Sequence, residues 1–387
     1  MGGADLRATV TFLLVSSFLM QALIGIVGIA VPLYADDMGA SPLMLGIIGA
    51  VGGLIYSFMP MVSGILLERF RRKTFILAST ALYGLSCILY RLAENPYILI
   101  PIKALEWISI ALFWPSMEVL LTETDGENIE KTLRKFNISW GSAMIVGPMI
   151  GGSLISAFGI RTGAPFLLSS AISLLMSLLT ILVVREGPRR ILSKHGLPRL
   201  YANSSGGIFS AVSSTLLFSL LGGIILNLFP AYAASLGIPA YEIGLIMLVN
   251  GLFRLVAFLE AYRIKARIGE YGVFLMGSLT LALASALTAI SSTTPAFSIS
   301  LSIMGFGAGI LYAVSIAMLL KRLDSARGYA AGLFESLLGT GYFLGSLSGG
   351  FVANYAPNAP YILGLSISLL VTLLNSIKYM RSQPTIK

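Results

Sequence analysis

Twelve apolar runs, most of them about 20 residues or longer, occupy nearly all of this chain and leave few architectures open to it. They fall at about 9–34, 43–66, 74–92, 97–121, 136–158, 165–184, 208–233, 241–262, 271–292, 295–319, 328–353 and 358–379. A bilayer core offers no water to backbone N–H and C=O groups, so a chain that crosses it repeatedly must pair those groups within each segment, as an α-helix does. Of the 387 residues 56% are hydrophobic and 11% charged, against roughly a quarter charged in soluble proteins. The chain therefore reads as an all-α integral membrane protein with twelve transmembrane helices.

A repeat organises the segments. Pro32, Tyr34, Ala35, Gly39 and Gly46 recur at a constant offset of 198 residues as Pro230, Tyr232, Ala233, Gly237 and Gly244. Gly141, Gly147, Gly151 and Gly152 recur at the same offset as Gly339, Gly345, Gly349 and Gly350. Six segments fall in each copy, which divides the chain into a six-helix bundle over 1–184, a cytoplasmic linker over 185–207 and a second six-helix bundle over 208–387. An even number of crossings makes the copies parallel repeats, and transporters built this way hold their solute between the repeats near mid-depth.

The net charge of +9 is explained by orientation. With the amino terminus inside, the basic residues of the loops face the cytoplasm, including the cluster Arg69, Arg71, Arg72 and Lys73. Only Arg91 and Arg161 lie outside, and Lys103 and Arg254 lie within segments. This bias sets both termini in the cytoplasm of a cell-membrane protein and removes the need for a nucleic-acid partner. Cys87 is the sole cysteine and His195 the sole histidine, so no metal-ligand cluster, haem site or other cofactor is expected. No P-loop pattern occurs and no loop has room for a catalytic domain, so an enzyme is not expected; the partners are the bilayer and a small solute, and the chain is expected to act as a monomer.

Between the second and third segments stands Gly64-Ile65-Leu66-Leu67-Glu68-Arg69-Phe70-Arg71-Arg72-Lys73. This resembles the signature loop of the major facilitator superfamily, Gly-x-Leu-Ala-Asp-Arg-x-Gly-Arg-Arg/Lys, with Arg71 in the place of the second glycine. A fainter copy, Ala266-Arg267-Ile268-Gly269-Glu270, keeps that glycine. The resemblance implies two six-helix bundles that rock about a central site. It also implies a cytoplasmic latch formed by Glu68 with Arg72 and Glu118 or Glu123, with Gly64, Arg69 and Lys73 completing the gating loop. Gly147-Pro148-x-x-Gly151-Gly152 in segment five looks like the hinge element of antiporters in this family. Lys103-x-x-Glu106 sits where proton-coupled branches carry Arg-x-x-Gln-Gly, with Trp107 in the place of the glycine.

An ionisable side chain within hydrocarbon costs at least a few kcal/mol and needs a partner or a task. Lys103, Glu106, Trp107, Trp114 and Glu118 share one stripe of segment four. Glu106 either exchanges protons while Lys103 answers its charge, or the two form a permanent structural couple. Arg254 follows Asn250 by one turn and lies at a depth similar to that of Glu335; the two are expected to pair or jointly to hold solute, or else to clasp helices. Gln21 and Asn227 are candidate solute contacts or interhelical hydrogen bonds, and Tyr56, Trp107, Phe113 and Trp114 are candidate aromatic walls.

These readings describe a secondary transporter that moves a small organic solute by alternating access, with proton-coupled export of drug-like or metabolite molecules as the preferred form. The alternatives are an anion or nutrient permease that uses Lys103 and Arg254, and a non-transporting membrane receptor.

Overall fold

The computed structural model describes residues 3–67, 69–125, 129–184, 205–322 and 327–382. The linker, between 185 and 204, and Glu68 lie outside the described residues. The helices are α1 (Gly3–Asp37), α2 (Pro42–Leu67), α3 (Arg72–Leu92), α4 (Leu99–Asp125), α5 (Ile129–Phe158), α6 (Ala164–Val183), α7 (Ser205–Asn227), α8 (Phe229–Ser235), α9 (Ala240–Ile290), α10 (Thr294–Arg322), α11 (Arg327–Ala353) and α12 (Ala359–Ser382). Among the described residues there is no strand, and ten helices are long and apolar enough to cross a membrane.

Two segments differ from the sequence reading. The run at 208–233 is broken into α7 and α8 at Leu228, where Pro230 has no N–H to continue the helical ladder. The runs at 241–262 and 271–292 share the 51 residues of α9, interrupted at Gly269, whose φ of 76° and ψ of 172° are not helical. Helix α11 is not among the ten apolar spans. Its glycines and serines lower its hydropathy and at the same time let other backbones approach it.

The chain forms two compact units, and neither is a continuous stretch. Unit 1 comprises Met1–Ala40, Phe58–Ser193 and Pro239–Leu248; unit 2 comprises Ser41–Ser57, Lys194–Ile238 and Val249–Lys387. Close glycine contacts mark where residues 41–57 join unit 2 and residues 239–248 join unit 1. In unit 2, a methyl group at Gly46 would lie 2.5 Å from the Ser346 carbonyl oxygen, and one at Gly350 would lie 2.8 Å from that of Pro42. In unit 1, a methyl at Gly244 would lie 2.7 Å from the Pro148 carbonyl oxygen, and one at Gly152 would overlap that of Ala240. Gly244, Ala240, Ser346 and Gly350 are the repeat counterparts of Gly46, Pro42, Pro148 and Gly152, so one close backbone contact is built twice. Without a Cβ the two backbones meet directly; any larger residue would force them apart.

Within unit 1, α1 lies along α5, with Gly25, Gly147 and Gly151 at the contact. Helix α3 packs on α4 and α6, and hydroxyls join α3 to α6: Thr80 Oγ1 is 2.7 Å from Ser177 Oγ, and Ser173 Oγ donates to the Thr80 carbonyl at 2.7 Å. Within unit 2, α7 lies along α11, where Gly341 and Gly345 meet Ser219 and Leu220.

Candidate functional site

Helices α2, α9, α10 and α11 bring a carboxylate, a guanidinium and three phenols into one region of unit 2. On α11, the Glu335 carboxylate accepts a hydrogen bond from the Tyr56 hydroxyl of α2. One turn further along α11, Gly339 meets the backbone of Tyr56 and Ser57, and a methyl there would lie 2.5 Å from the Tyr56 carbonyl carbon. The absence of a side chain at Gly339 therefore lets α2 come close enough for the bond to form.

Arg254 stands on α9. Its guanidinium donates to Asn250 Oδ1 at 3.4 Å, while its Nε is buried without a hydrogen-bond partner among the described residues. Asn250 is 6% exposed and is held in turn, its Nδ2 donating to the Leu301 carbonyl at 2.8 Å. Gly305 and Gly309 of α10 pack against the backbones of Asn250 and Arg254, which fixes the root of both side chains. Among the described residues no ion pair joins Arg254 to Glu335. The Tyr342 phenol of α11 lies within electrostatic range of both, and Tyr312 within range of Arg254 and Tyr56. Tyr312 is also ringed by Phe218, Phe258 and Phe334, with centroids 5.8, 5.3 and 5.1 Å away.

The charges of α4 have a different setting. Lys103 Nζ meets Glu106 Oε2 at 2.9 Å, and the Tyr90 hydroxyl of α3 donates to the same oxygen at 2.6 Å. Lys103 is 4% exposed and Glu106 1%. Tyr90 stacks on Phe166 of α6 at 5.4 Å, and the Lys103 ammonium lies 5.9 Å from the Trp107 ring. The cluster is sealed among α3, α4 and α6 inside unit 1. Trp114 joins Phe113, Phe136 and Trp140 in an edge-to-face group.

The remaining residues singled out in the sequence are dispersed. Asn227 donates to Ser346 Oγ at 2.9 Å and to the Gly223 carbonyl at 3.1 Å, an interhelical clasp of α7 to α11. Gln21 is partly buried on α1, Glu118 is exposed on α4, and Gly64 and Arg69 are exposed at the end of α2. Arg72 is buried at the start of α3, and Lys73 Nζ donates to the Ile181 and Val184 carbonyls at 2.8 and 2.7 Å. Those carbonyls end α6, where free acceptors and the negative end of the helix dipole favour an ammonium. Glu68 and the side chain of Glu123 are outside the described residues. Arg71 takes an ordinary extended conformation, φ −72° and ψ 136°, so the turn does not require the glycine of the signature; its repeat counterpart Gly269 does use a left-handed φ. Of the hinge element, Gly147 and Gly151 face α1, while Pro148 and Gly152 meet the first turns of α9.

Sequence reasoning passed over Tyr90, Tyr312 and Tyr342. The available signal was a tyrosine inside an apolar helix, a residue more usual at the membrane interface and whose hydroxyl needs a partner when buried.

A multi-pass helical membrane protein with ionisable side chains held inside its spans is built as a solute carrier is built. The chain belongs to the major facilitator superfamily, whose profile matches residues 13–203 and 211–387. It is 21% identical over 370 residues to an MFS-type transporter of Methanocaldococcus jannaschii, covering 90% of this chain and 92% of that one. It is 23% identical over 382 residues to multidrug resistance protein 1 of Bacillus subtilis, covering 94% and 95%. Among solved structures, a mutant of the nucleoside transporter NupG has the same fold, with a TM-score of 0.79 at 17% identity over 96% of this chain and 99% of that one.

Proposed function

We propose that this chain is a secondary active transporter that exports a small organic solute, drug-like or metabolite, in exchange for protons, with both termini in the cytoplasm. The observation that carries the reading is the gathering of Glu335, Tyr56, Arg254, Tyr312 and Tyr342 inside unit 2. A coupling carboxylate has to be reached by protons in part of the cycle. Glu335 is only partly buried and takes a hydrogen bond from a neutral phenol, whereas Glu106 is enclosed with an ammonium and a phenol on one oxygen. We therefore assign proton exchange to Glu335 and a structural role to the Lys103–Glu106 couple. The multidrug resistance protein among the relatives supports export, and the cytoplasmic latch of Glu68 with Arg72 and Glu118 or Glu123 belongs to the same proposal.

The test is proton movement in liposomes that enclose a pH-sensitive dye. A lipophilic cation, an aromatic amino acid, a nucleoside and a monocarboxylate are each imposed as a gradient. In the wild type one of these classes changes the internal pH, and Glu335→Gln abolishes that change, while counterflow persists once the solute concentration is raised to offset weaker binding. Counterflow with no proton movement in the wild type would refute the coupling and leave a uniporter.

A further inference from the structure

We infer that the solute taken by the Arg254–Glu335 region is dipolar, placing an anionic planar group such as a carboxylate on Arg254 and a cationic amine on Glu335. This rests on the transport reading above and names the class of solute for the same site. Arg254 and Glu335 lie in one unit with Tyr342 within electrostatic range of both, yet they form no ion pair. Opposite charges inside a bilayer attract strongly and lower each other's burial cost when they meet. Here they are held apart, each tied to a neutral neighbour: Arg254 to Asn250 and Glu335 to Tyr56.

The guanidinium is under-used. It carries five N–H donors in a fork that matches a carboxylate. Among the described residues its one hydrogen bond is 3.4 Å long, and its Nε is buried with nothing to donate to. A buried donor without an acceptor is costly, and a planar oxyanion of the solute would supply the acceptor. The geometry is built to keep the fork available. Asn250 is locked onto the Leu301 carbonyl and acts as a positioning residue, while the α10 glycines hold the backbone of Arg254.

Charge balance selects against singly charged solutes. A cation on Glu335 alone would leave Arg254 unneutralised and repelling it. An anion on Arg254 alone would leave Glu335 doing the same. A molecule with both groups neutralises both residues, and an aromatic body between them would lie against the tyrosines of the region.

The probes are L-tryptophan, which carries both charges, tryptamine, which lacks the carboxylate, and indole-3-propionate, which lacks the amine. Affinity is read from ligand-induced thermal stabilisation of the purified full chain. The wild type is expected to bind tryptophan about tenfold more tightly than either singly charged probe, the scale of one charge-assisted hydrogen bond. Arg254→Gln should bring tryptophan level with tryptamine, and Glu335→Gln should bring it level with indole-3-propionate. Asn250→Ala should weaken tryptophan and indole-3-propionate together and spare tryptamine, a pattern that a merely structural role would not produce. Should Arg254→Gln fail to fold, Arg254→Lys keeps the charge without the fork and should give an intermediate ranking. The inference is overturned if tryptamine equals tryptophan in the wild type, if the variants leave the ranking unchanged, or if none of the three probes stabilises the protein. Intact ranking without proton movement in the liposome assay would instead refute the coupling alone.

Discussion

The Tyr56 hydroxyl of α2 donates to the Glu335 carboxylate of α11, and the bond can form because Gly339, one turn on, leaves room for the α2 backbone. The hydrogen bond and the glycine contact tie the same two helices at neighbouring levels. A hydrogen bond to a charged group is worth about 1.5–3 kcal/mol, so Tyr56→Phe is expected to lower stability by about 2 kcal/mol in reversible unfolding from mixed micelles. Tyr355→Phe, at a residue 78% exposed, should change little. Equal losses at the two positions would mean that the Tyr56 bond contributes nothing.

The reciprocal glycine contacts predict matched effects from matched substitutions. Gly46→Ala and Gly244→Ala each press a methyl into a carbonyl oxygen of the opposing helix, Ser346 in one case and Pro148 in the other. Each should cost about 1–3 kcal/mol by overpacking, measured as a fall in thermal midpoint. Gly28→Ala is the control, since a methyl there meets nothing within 4 Å, and it should be neutral or slightly stabilising because alanine is the better helix former.

The Lys103–Glu106 couple should behave as a buried ion pair. Lys103→Met leaves an uncompensated carboxylate with only the Tyr90 donor, and removing one partner of such a pair costs about 3–5 kcal/mol. The double variant Lys103→Met with Glu106→Gln should recover much of that loss, as seen in a double-mutant cycle of thermal stabilities. If Lys103→Met alone is harmless, the pair has no structural role.

The two copies of the signature loop should answer oppositely to exchange. Gly269→Ala places a side chain at φ 76°, ψ 172°, a conformation that costs a non-glycine residue about 1–3 kcal/mol. Arg71→Gly asks for nothing the backbone does not already do at φ −72°, so its cost should be limited to the lost side chain and some added chain entropy. Expression level and melting point of the two variants separate the cases.

At the start of α3, Lys73 closes the free carbonyl end of α6 through Ile181 and Val184. Lys73→Met should destabilise by about 1 kcal/mol and Lys73→Arg should restore most of it. A loss of transport without a loss of stability in Lys73→Met would assign this residue to gating instead.

Much of this protein was legible in the one-dimensional pattern because the bilayer is a simple solvent. Apolar runs of helical length dictate the crossings, and a constant offset of 198 residues reveals the duplication. Local pairings follow too: Lys103 and Glu106 are one turn apart, and a helix brings such neighbours together wherever it lies. Even so, the sequence could not say that α4 turns this pair toward Tyr90 and into the interior of unit 1. Pairings across distant helices were not legible. Arg254 and Glu335 were matched by depth alone, and depth does not tell whether two helices rotate their side chains toward each other. Tertiary packing gave Glu335 to Tyr56 and Asn250 to the Leu301 carbonyl, because close glycine contacts at Gly339, Gly305 and Gly309 set where each backbone could approach. Hydrophobicity acts on each segment separately and can be summed along the chain; the direction a buried charge faces depends on every neighbouring helix at once, and only the folded structure decides it.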